Sequence, residues 1–167
     1  LQFLENMFLS RLLYQQKTAL KKGTKWVSSK IINIQQVSPD TKIYKFDLPD
    51  KNSILGIQPG QHVRLTMKIE GKEVMKTYTP IEFGKEGEFD CIIKSYSDGQ
   101  LTPELDNLSI GSKVEFYGPT GQYKVENNVW TKVLKNEVVA DKPKKVGMIA
   151  GGTGIAPMMQ FLKTSED

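Results

Sequence analysis

Gln58-Pro59-Gly60-Gln61-His62-Val63-Arg64-Leu65-Thr66-Met67-Lys68-Ile69-Glu70-Gly71-Lys72 sets a short β-type segment, residues 62–69, between two turn signals. Gln58-Pro59-Gly60 closes one side and Glu70-Gly71-Lys72 the other, and glycine and proline so placed mark chain reversals. The pattern repeats outward in both directions. Segments 26–36, 41–48, 89–96 and 113–117 read the same way, separated by Ser38-Pro39-Asp40, Leu48-Pro49-Asp50, the glycine-bounded stretch 84–87 and Gly118-Pro119. Strands punctuated at intervals of about ten residues are the habit of small antiparallel barrels, whose closure removes open edges. The expected fold class is mainly β, a closed antiparallel Greek-key barrel.

Residues 101–108 carry a helical pattern among the strands, with Thr102 placed as N-cap, Pro103 as first helical residue and Glu104 in the first turn. After Gly121 the chain turns polar and irregular through Asn127, Asn128 and Asn136, and Asp141-Lys142-Pro143-Lys144-Lys145 has the composition of an interdomain linker. Beyond it the pattern changes class. Val146-Gly147-Met148-Ile149-Ala150 reads as a buried strand, Gly151-Gly152-Thr153-Gly154 as a tight loop, and 155–163 as a helix with Pro157 in its first turn, where a missing N–H costs nothing. At the other end, residues 1–13 are dense in apolar side chains, and with Arg11, Lys17, Lys21, Lys22 and Lys25 they read as a helix with a basic end that Gly23 stops. The organisation that follows is an amino-terminal anchor or docking segment at 1–23, a barrel at 24–142, and the incomplete start of another domain at 143–167. The first residue is Leu1, which leaves the true amino terminus open.

A chain of 167 residues can bury one good core and begin a second. It has no run of about eighteen apolar residues to span a bilayer, so its body is expected to be soluble. The net charge of +4 is modest, and the lysines are scattered among acids without a basic block and interleaved aromatics. Nucleic acid is therefore not an expected partner. The single cysteine, Cys91, cannot form an internal disulfide, and no Cys/His cluster has metal-ligand spacing. A reducing compartment and no structural metal are expected, and Cys91, inside the apolar run 89–93, reads as a buried thiol without a role.

Three places hold residue types that carry chemistry. The loops 151–154 and 99–102 each stand before a helix, where free backbone N–H groups meet anionic oxygens and glycine permits close approach. Each is also consistent with an ordinary glycine turn, and together they suggest a dinucleotide. Lys76-Thr77-Tyr78-Thr79-Pro80 sets a cation, a ring and hydroxyls near the end of a strand. Alternation places Lys76, Tyr78 and Pro80 on one face and Thr77 and Thr79 on the other, unless Pro80 ends the regular strand. The segment can hold a ring and its phosphates, or it is a Thr/Tyr-rich strand with an edge proline. His62, the only histidine, is a satisfied barrel residue or a titrating group.

Taken in order, Pro59-Gly60-Gln61-His62, Lys76-Thr77-Tyr78-Thr79-Pro80, Ile93-Lys94-Ser95-Tyr96, Gly99-Gln100-Leu101-Thr102-Pro103-Glu104-Leu105, Gly118-Pro119-Thr120-Gly121 and Ile149-Ala150-Gly151-Gly152-Thr153-Gly154-Ile155-Ala156-Pro157-Met158 resemble the successive motifs of the NADH-cytochrome b5 reductases. The resemblance runs from about residue 26 to the end. It implies an FAD-binding barrel followed by the first β-loop-α unit of a Rossmann-like NAD-binding domain. It also implies that Lys76 stands where an arginine grips the pyrophosphate, that Tyr78 packs against the isoalloxazine, and that Thr79 hydrogen-bonds near the flavin N5. His62 would sit behind Thr79 in a pairing that relays a proton, which makes Thr79 and His62 the catalytic candidates. Gly99, Gln100, Leu101 and Thr102 match the motif that holds the FAD phosphates, in agreement with the helix-start argument. Pro80, Ile93, Lys94 and Tyr96 complete the cofactor set, with Lys94 and Tyr96 on the flavin and nicotinamide side and Gly152, Thr153 and Gly154 at the nicotinamide cleft. The implied cofactors are FAD and NADH as hydride donor, and the implied partner is a haem electron acceptor such as cytochrome b5.

Two residues depart from the family pattern. Lys76 offers a point charge without the planar fork of arginine, and Ala156 stands where relatives often have threonine, which removes a hydroxyl from the nicotinamide cleft. The family also continues for about another domain's length, with a Cys-Gly-Pro-Pro motif that poises the nicotinamide. Hydride transfer needs donor and acceptor near contact, so a chain without that part is expected to reduce its flavin poorly from NADH. A second class of function stays open: a degenerate, non-catalytic reductase-like subunit serving as a scaffold in a larger assembly. Residues 1–22 are the candidate for membrane association, or they pack back on their own domain. The expected location is intracellular and membrane-associated, at the mitochondrion or the endoplasmic reticulum.

Overall fold

The computed structural model describes residues 17–20, 26–126, 129–134 and 137–164. The helix expected over residues 1–13 lies outside the described residues. In chain order the elements are β1 (Lys17–Thr18), β2 (Val27–Ser38), β3 (Thr41–Asp47), β4 (Ser53–Ile54), β5 (His62–Ile69), β6 (Lys72–Tyr78), β7 (Pro80–Glu82), β8 (Glu88–Lys94), α1 (Thr102–Asp106), β9 (Lys113–Thr120), β10 (Tyr123–Glu126), β11 (Val129–Leu134), β12 (Glu137–Asp141) and α2 (Ile155–Thr164).

Seven strands form one sheet in the order β6-β5-β9-β2-β3-β8-β7, every neighbouring pair antiparallel. Its two edge strands, β6 and β7, are consecutive in the chain and are joined through Thr79. One linking residue spans at most about 7 Å. The edges must therefore meet, and the sheet curls on itself into the expected barrel.

Period-two alternation lays one face of that sheet inward. Tyr44 and Phe46 of β3, Val63 and Leu65 of β5, Phe89, Cys91 and Ile93 of β8, and Val114 and Phe116 of β9 are buried. Phe46 stands at the centre, stacked 5.2 Å from Phe89 and edge-on at 4.8 Å from Phe116. Such pairs add about 0.5–1.5 kcal/mol each beyond the area they bury, and here they clamp three strands that are distant in sequence. Cys91 is buried as its apolar run indicates, and its thiol is pushed above the ordinary range by burial and then by the charge of Asp90.

Three expectations change. Residues 17–20, expected as the basic end of a helix, are extended: β1 pairs in parallel with β4, and Leu20 inserts into the core. The fit is close, because a Cβ at Gly56, whose φ is +85°, would come 2.6 Å from the Thr18 Cβ and 2.7 Å from the Leu20 carbonyl oxygen. Pairing and burial override local helix preference. Residues 123–141, expected to be irregular, hold a separate antiparallel sheet in the order β10-β11-β12. Cross-strand pairs such as Val125 with Trp130 and Val133 with Val138 support it although much of its surface faces solvent. Finally, Val146-Gly147-Met148-Ile149-Ala150, expected as a buried strand, is unpaired and exposed, with Ile149 at 96%. A parallel strand needs neighbours and covering helices, and the described residues supply none there.

Helix α2 forms as expected and lies along β7. Ala156, Gln160 and Lys163 recur at helical spacing on the face turned to the barrel. Ala156 and Gln160 are buried, and Lys163 forms an ion pair with Glu82 at 3.1 Å. Trp130 of β11 stacks on Phe161 at 4.6 Å. Among the described residues no helix is long and apolar enough to cross a membrane.

Candidate functional site

A groove of about 810 Å³ opens where the two sheet edges meet. Lys76, Thr77, Tyr78 and Thr79 form one wall, Ile92, Ile93, Lys94 and Tyr96 the second, and Asp98 through Thr102 the end that runs into α1. Thr153 and Ala156 close the side next to α2. Ligand pockets commonly hold about 300–1,000 Å³. Strand alternation alone would have divided Lys76 and Tyr78 from Thr77 and Thr79. All four line the groove because β6 is a sheet edge and the chain leaves the strand at Thr79, before Pro80 opens β7.

The α1 end is rigid for identifiable reasons. Leu101 and Leu105 are buried beneath it. Asp106 accepts hydrogen bonds from Lys42 Nζ at 2.8 Å and the Tyr44 hydroxyl at 2.6 Å, which ties the helix to β3. Burial opposes ionisation of Asp106, but the bonds from Lys42, Tyr44 and Ser95 outweigh it and hold the carboxyl below its usual range. Thr102 was expected to cap the helix. Instead it is the first helical residue after Leu101, and its hydroxyl accepts from the Tyr96 N–H at 3.2 Å, bracing the loop rather than the helix end. The Gly99 N–H donates to the Tyr96 carbonyl at 2.9 Å, and a Cβ at Gly99 would lie 2.6 Å from Thr102 Oγ1. Only glycine fits that turn without a shift. The opening amides of a helix lack intrahelical acceptors, so those near Leu101 and Thr102 suit an anion.

Cations divide by their partners. Lys94 forms an ion pair with Asp40 at 2.8 Å, with its Nζ 5.7 Å from the Tyr96 ring centroid. The hydrogen bonds from Lys94, Ser38 and Thr41 lower Asp40 to about 2. Lys76, exposed on the edge strand, has no ion-pair partner among the described residues and is the groove's available cation. Tyr78 packs its half-buried ring against the core, and burial, with a contribution from Cys91, pushes its hydroxyl up to about 12. An uncharged ring, a free cation and a glycine cradle in one groove fit an aromatic ligand carrying phosphates.

Of the residues singled out in the sequence, Lys76, Tyr78, Thr79, Ile93, Lys94, Tyr96, Gly99, Gln100, Leu101, Thr102 and Thr153 meet in this groove. Pro80 is buried opposite Cys91 just behind it. Gly152 is exposed outside it, at φ +54° in the 3₁₀ turn Gly152–Gly154. His62 lines a different cavity, of about 630 Å³, with Arg64, Thr120 and Gly121. Val63 pairs with Tyr78, the last residue of β6, whereas His62 pairs with Thr120 of β9 and its ring lies beside Gly121. Burial, then Arg64, depresses the His62 pKa, which leaves the imidazole neutral at pH 7. Gln160 was not found from sequence. Its one signal was an amide within the apolar run from Ile155 to Leu162.

The family described as Oxidoreductase FAD-binding domain matches residues 28–125. NADH-cytochrome b5 reductase 1 of Eremothecium gossypii is 35% identical over 149 residues, which are 88% of this chain and 47% of that protein. NADH-cytochrome b5 reductase 1 of Dictyostelium discoideum is 40% identical over 128 residues, 76% of this chain and 40% of that one. Among solved structures, the cytochrome b5 reductase domain of Ulva prolifera nitrate reductase superposes with a TM-score of 0.79 at 28% identity, covering 88% of this chain and 58% of that one. The chain spans about half the length of the curated relatives it matches.

Proposed function

Because this chain belongs to the oxidoreductase FAD-binding domain family, with NADH-cytochrome b5 reductases among its relatives, we propose that its groove holds FAD in an electron path from NADH to a haem acceptor such as cytochrome b5. The observation that carries this is convergence: the segments around Lys76–Thr79, Ile92–Tyr96 and Gly99–Thr102, separate in sequence, face one cavity. FAD, when bound, supplies the conversion between a two-electron donor and a one-electron acceptor that such a path requires.

The chain's own residues divide the task. Lys76 and the opening amides of α1 neutralise and orient phosphate oxygens, while the Gly99 turn admits them closely. Tyr78 offers a ring face whose burial keeps its hydroxyl protonated at any physiological pH. Thr79, at the junction of the sheet edges, offers a hydroxyl where the ring would lie. Thr153 and Ala156 wall the side on which a nicotinamide would approach. The test is to add FAD to the purified full chain and follow flavin fluorescence and visible absorption. One tightly held, quenched flavin per chain is the expected outcome, and a chain that stays colourless after desalting overturns the proposal.

A second reading, a scaffold subunit of a larger assembly, draws on Lys76 in place of the arginine fork. It predicts no flavin retention and a groove that stays indifferent to FAD.

A further inference from the structure

Gln160 is fully buried in α2, and its side chain reaches out of the helix to three main-chain groups of the barrel. The Gly60 N–H donates to Gln160 Oε1 at 2.9 Å, and Gln160 Nε2 donates to the carbonyls of Gln61 at 3.1 Å and Pro80 at 2.8 Å. A buried amide is costly unless so satisfied. The choice of partners is informative: the Gln61 carbonyl belongs to the peptide that joins Gln61 to His62, and the Pro80 carbonyl belongs to the Pro80–Ile81 peptide, one residue beyond Thr79. One turn earlier on the same helix face, Ala156 lines the groove. A single side chain thus holds the peptide before His62 and the one just past Pro80, the residue after Thr79, against the helix that forms the groove's third wall.

We propose that Gln160 is a positioning residue for the ring-binding end of the groove, setting the backbone at Thr79 and at His62 relative to Thr153 and Ala156. This rests on the flavin proposal above. The Lys163 ion pair with Glu82 and the Trp130 stack on Phe161 also dock α2, but both lie at the periphery and neither bonds the backbone at Gln61 or Pro80. Docking alone therefore does not account for the bonds Gln160 makes.

The full chain is compared as wild type, Gln160→Met, Gln160→Glu and Lys163→Ala. Methionine keeps the length of glutamine and removes all three bonds. FAD affinity should fall by no more than about fivefold, because the phosphate end is held elsewhere. The visible circular dichroism and residual fluorescence of the bound flavin should change clearly. Exchange of the Gly60 amide should quicken by about tenfold even without FAD, since its acceptor is gone. Glutamate retains that acceptor and offers at most one donor, when protonated, in place of two, so Gln160→Glu should move the flavin signature while Gly60 exchange stays near wild type. Lys163→Ala should move neither.

If wild type binds no FAD, the flavin proposal itself fails. If wild type binds FAD and the flavin signature of both Gln160 variants is unchanged, the positioning role fails and the flavin proposal stands. A Lys163→Ala signature shifted as far as that of Gln160→Met would reduce Gln160 to a docking contact and also overturn the role. Should one Gln160 variant not fold, the other decides.

Discussion

Lys76 brings a compact charge to the groove on a flexible stem, and such a charge reaches one phosphate oxygen at a time where a guanidinium grips two. Lys76→Arg is expected to tighten FAD binding by about three- to tenfold, and Lys76→Ala to weaken it by about tenfold, the scale of one hydrogen bond to a charged group. Fluorescence titration with FAD measures both, and an unchanged Lys76→Ala would place the phosphates elsewhere. Gly99 acts through space rather than charge. In Gly99→Ala the new methyl would sit 2.6 Å from Thr102 Oγ1 and 3.0 Å from the Tyr96 carbonyl oxygen, so the loop must open and the Tyr96 to Thr102 bond is lost. A destabilisation of about 1–2 kcal/mol in urea, with a larger fractional loss of FAD affinity, is expected. Both positions could be read from the sequence because a cation, a ring and a glycine in fixed order are distinct letters with distinct chemistry. Gln160 could not be, since its partners are main-chain groups 80 to 100 residues away, and residue type does not reveal where a carbonyl will point.

Among the elements, α1 is fixed by its buried leucines and by one carboxylate that can be titrated. Asp106 joins the helix to Lys42 and Tyr44 of β3, and its folded pKa lies below the ordinary value of 3.8. A carboxyl whose pKa is depressed on folding contributes stability above its unfolded pKa and loses it as the pH falls through the folded value. The Asp106 contribution should thus be intact at neutral pH and decline below about pH 4. Asp106→Asn should flatten that acid limb relative to wild type when urea midpoints are compared from pH 7 to 3, and equal slopes would show the ion pair to be without weight. The short helix was readable because Thr102-Pro103-Glu104 is a strong start signal, although the Thr102 hydroxyl turned out to serve the loop. The sheet β10-β11-β12 was hidden because its strands are studded with Lys and Glu and rely on cross-strand pairs that only the register reveals. Val146 to Ala150 failed in the opposite sense. Its apolar letters describe a strand between neighbours, and apolarity cannot supply the neighbours.

At the scale of the molecule, the barrel was legible because turn signals recur along most of the chain, whereas the groove depends on how the barrel closes. Its walls come from residues 76–79, 92–102 and 153–156, which meet only when the sheet has curled and α2 has docked. The unfolded chain therefore has no such site, and FAD must stabilise the native state by mass action. At a free concentration one hundred times the dissociation constant the gain is about 2.7 kcal/mol. For a chain of this size each kcal/mol raises the melting temperature by about 2–4 °C, so FAD should raise it by about 5–11 °C. Calorimetry with and without FAD tests this, and the shift should grow with the logarithm of concentration. Lys76→Ala should show a smaller shift at the same FAD concentration with an unchanged melting temperature in its absence, because Lys76 is exposed and outside the core. An equal shift for wild type and Lys76→Ala would mean that FAD binds somewhere other than the groove formed where β6 and β7 meet.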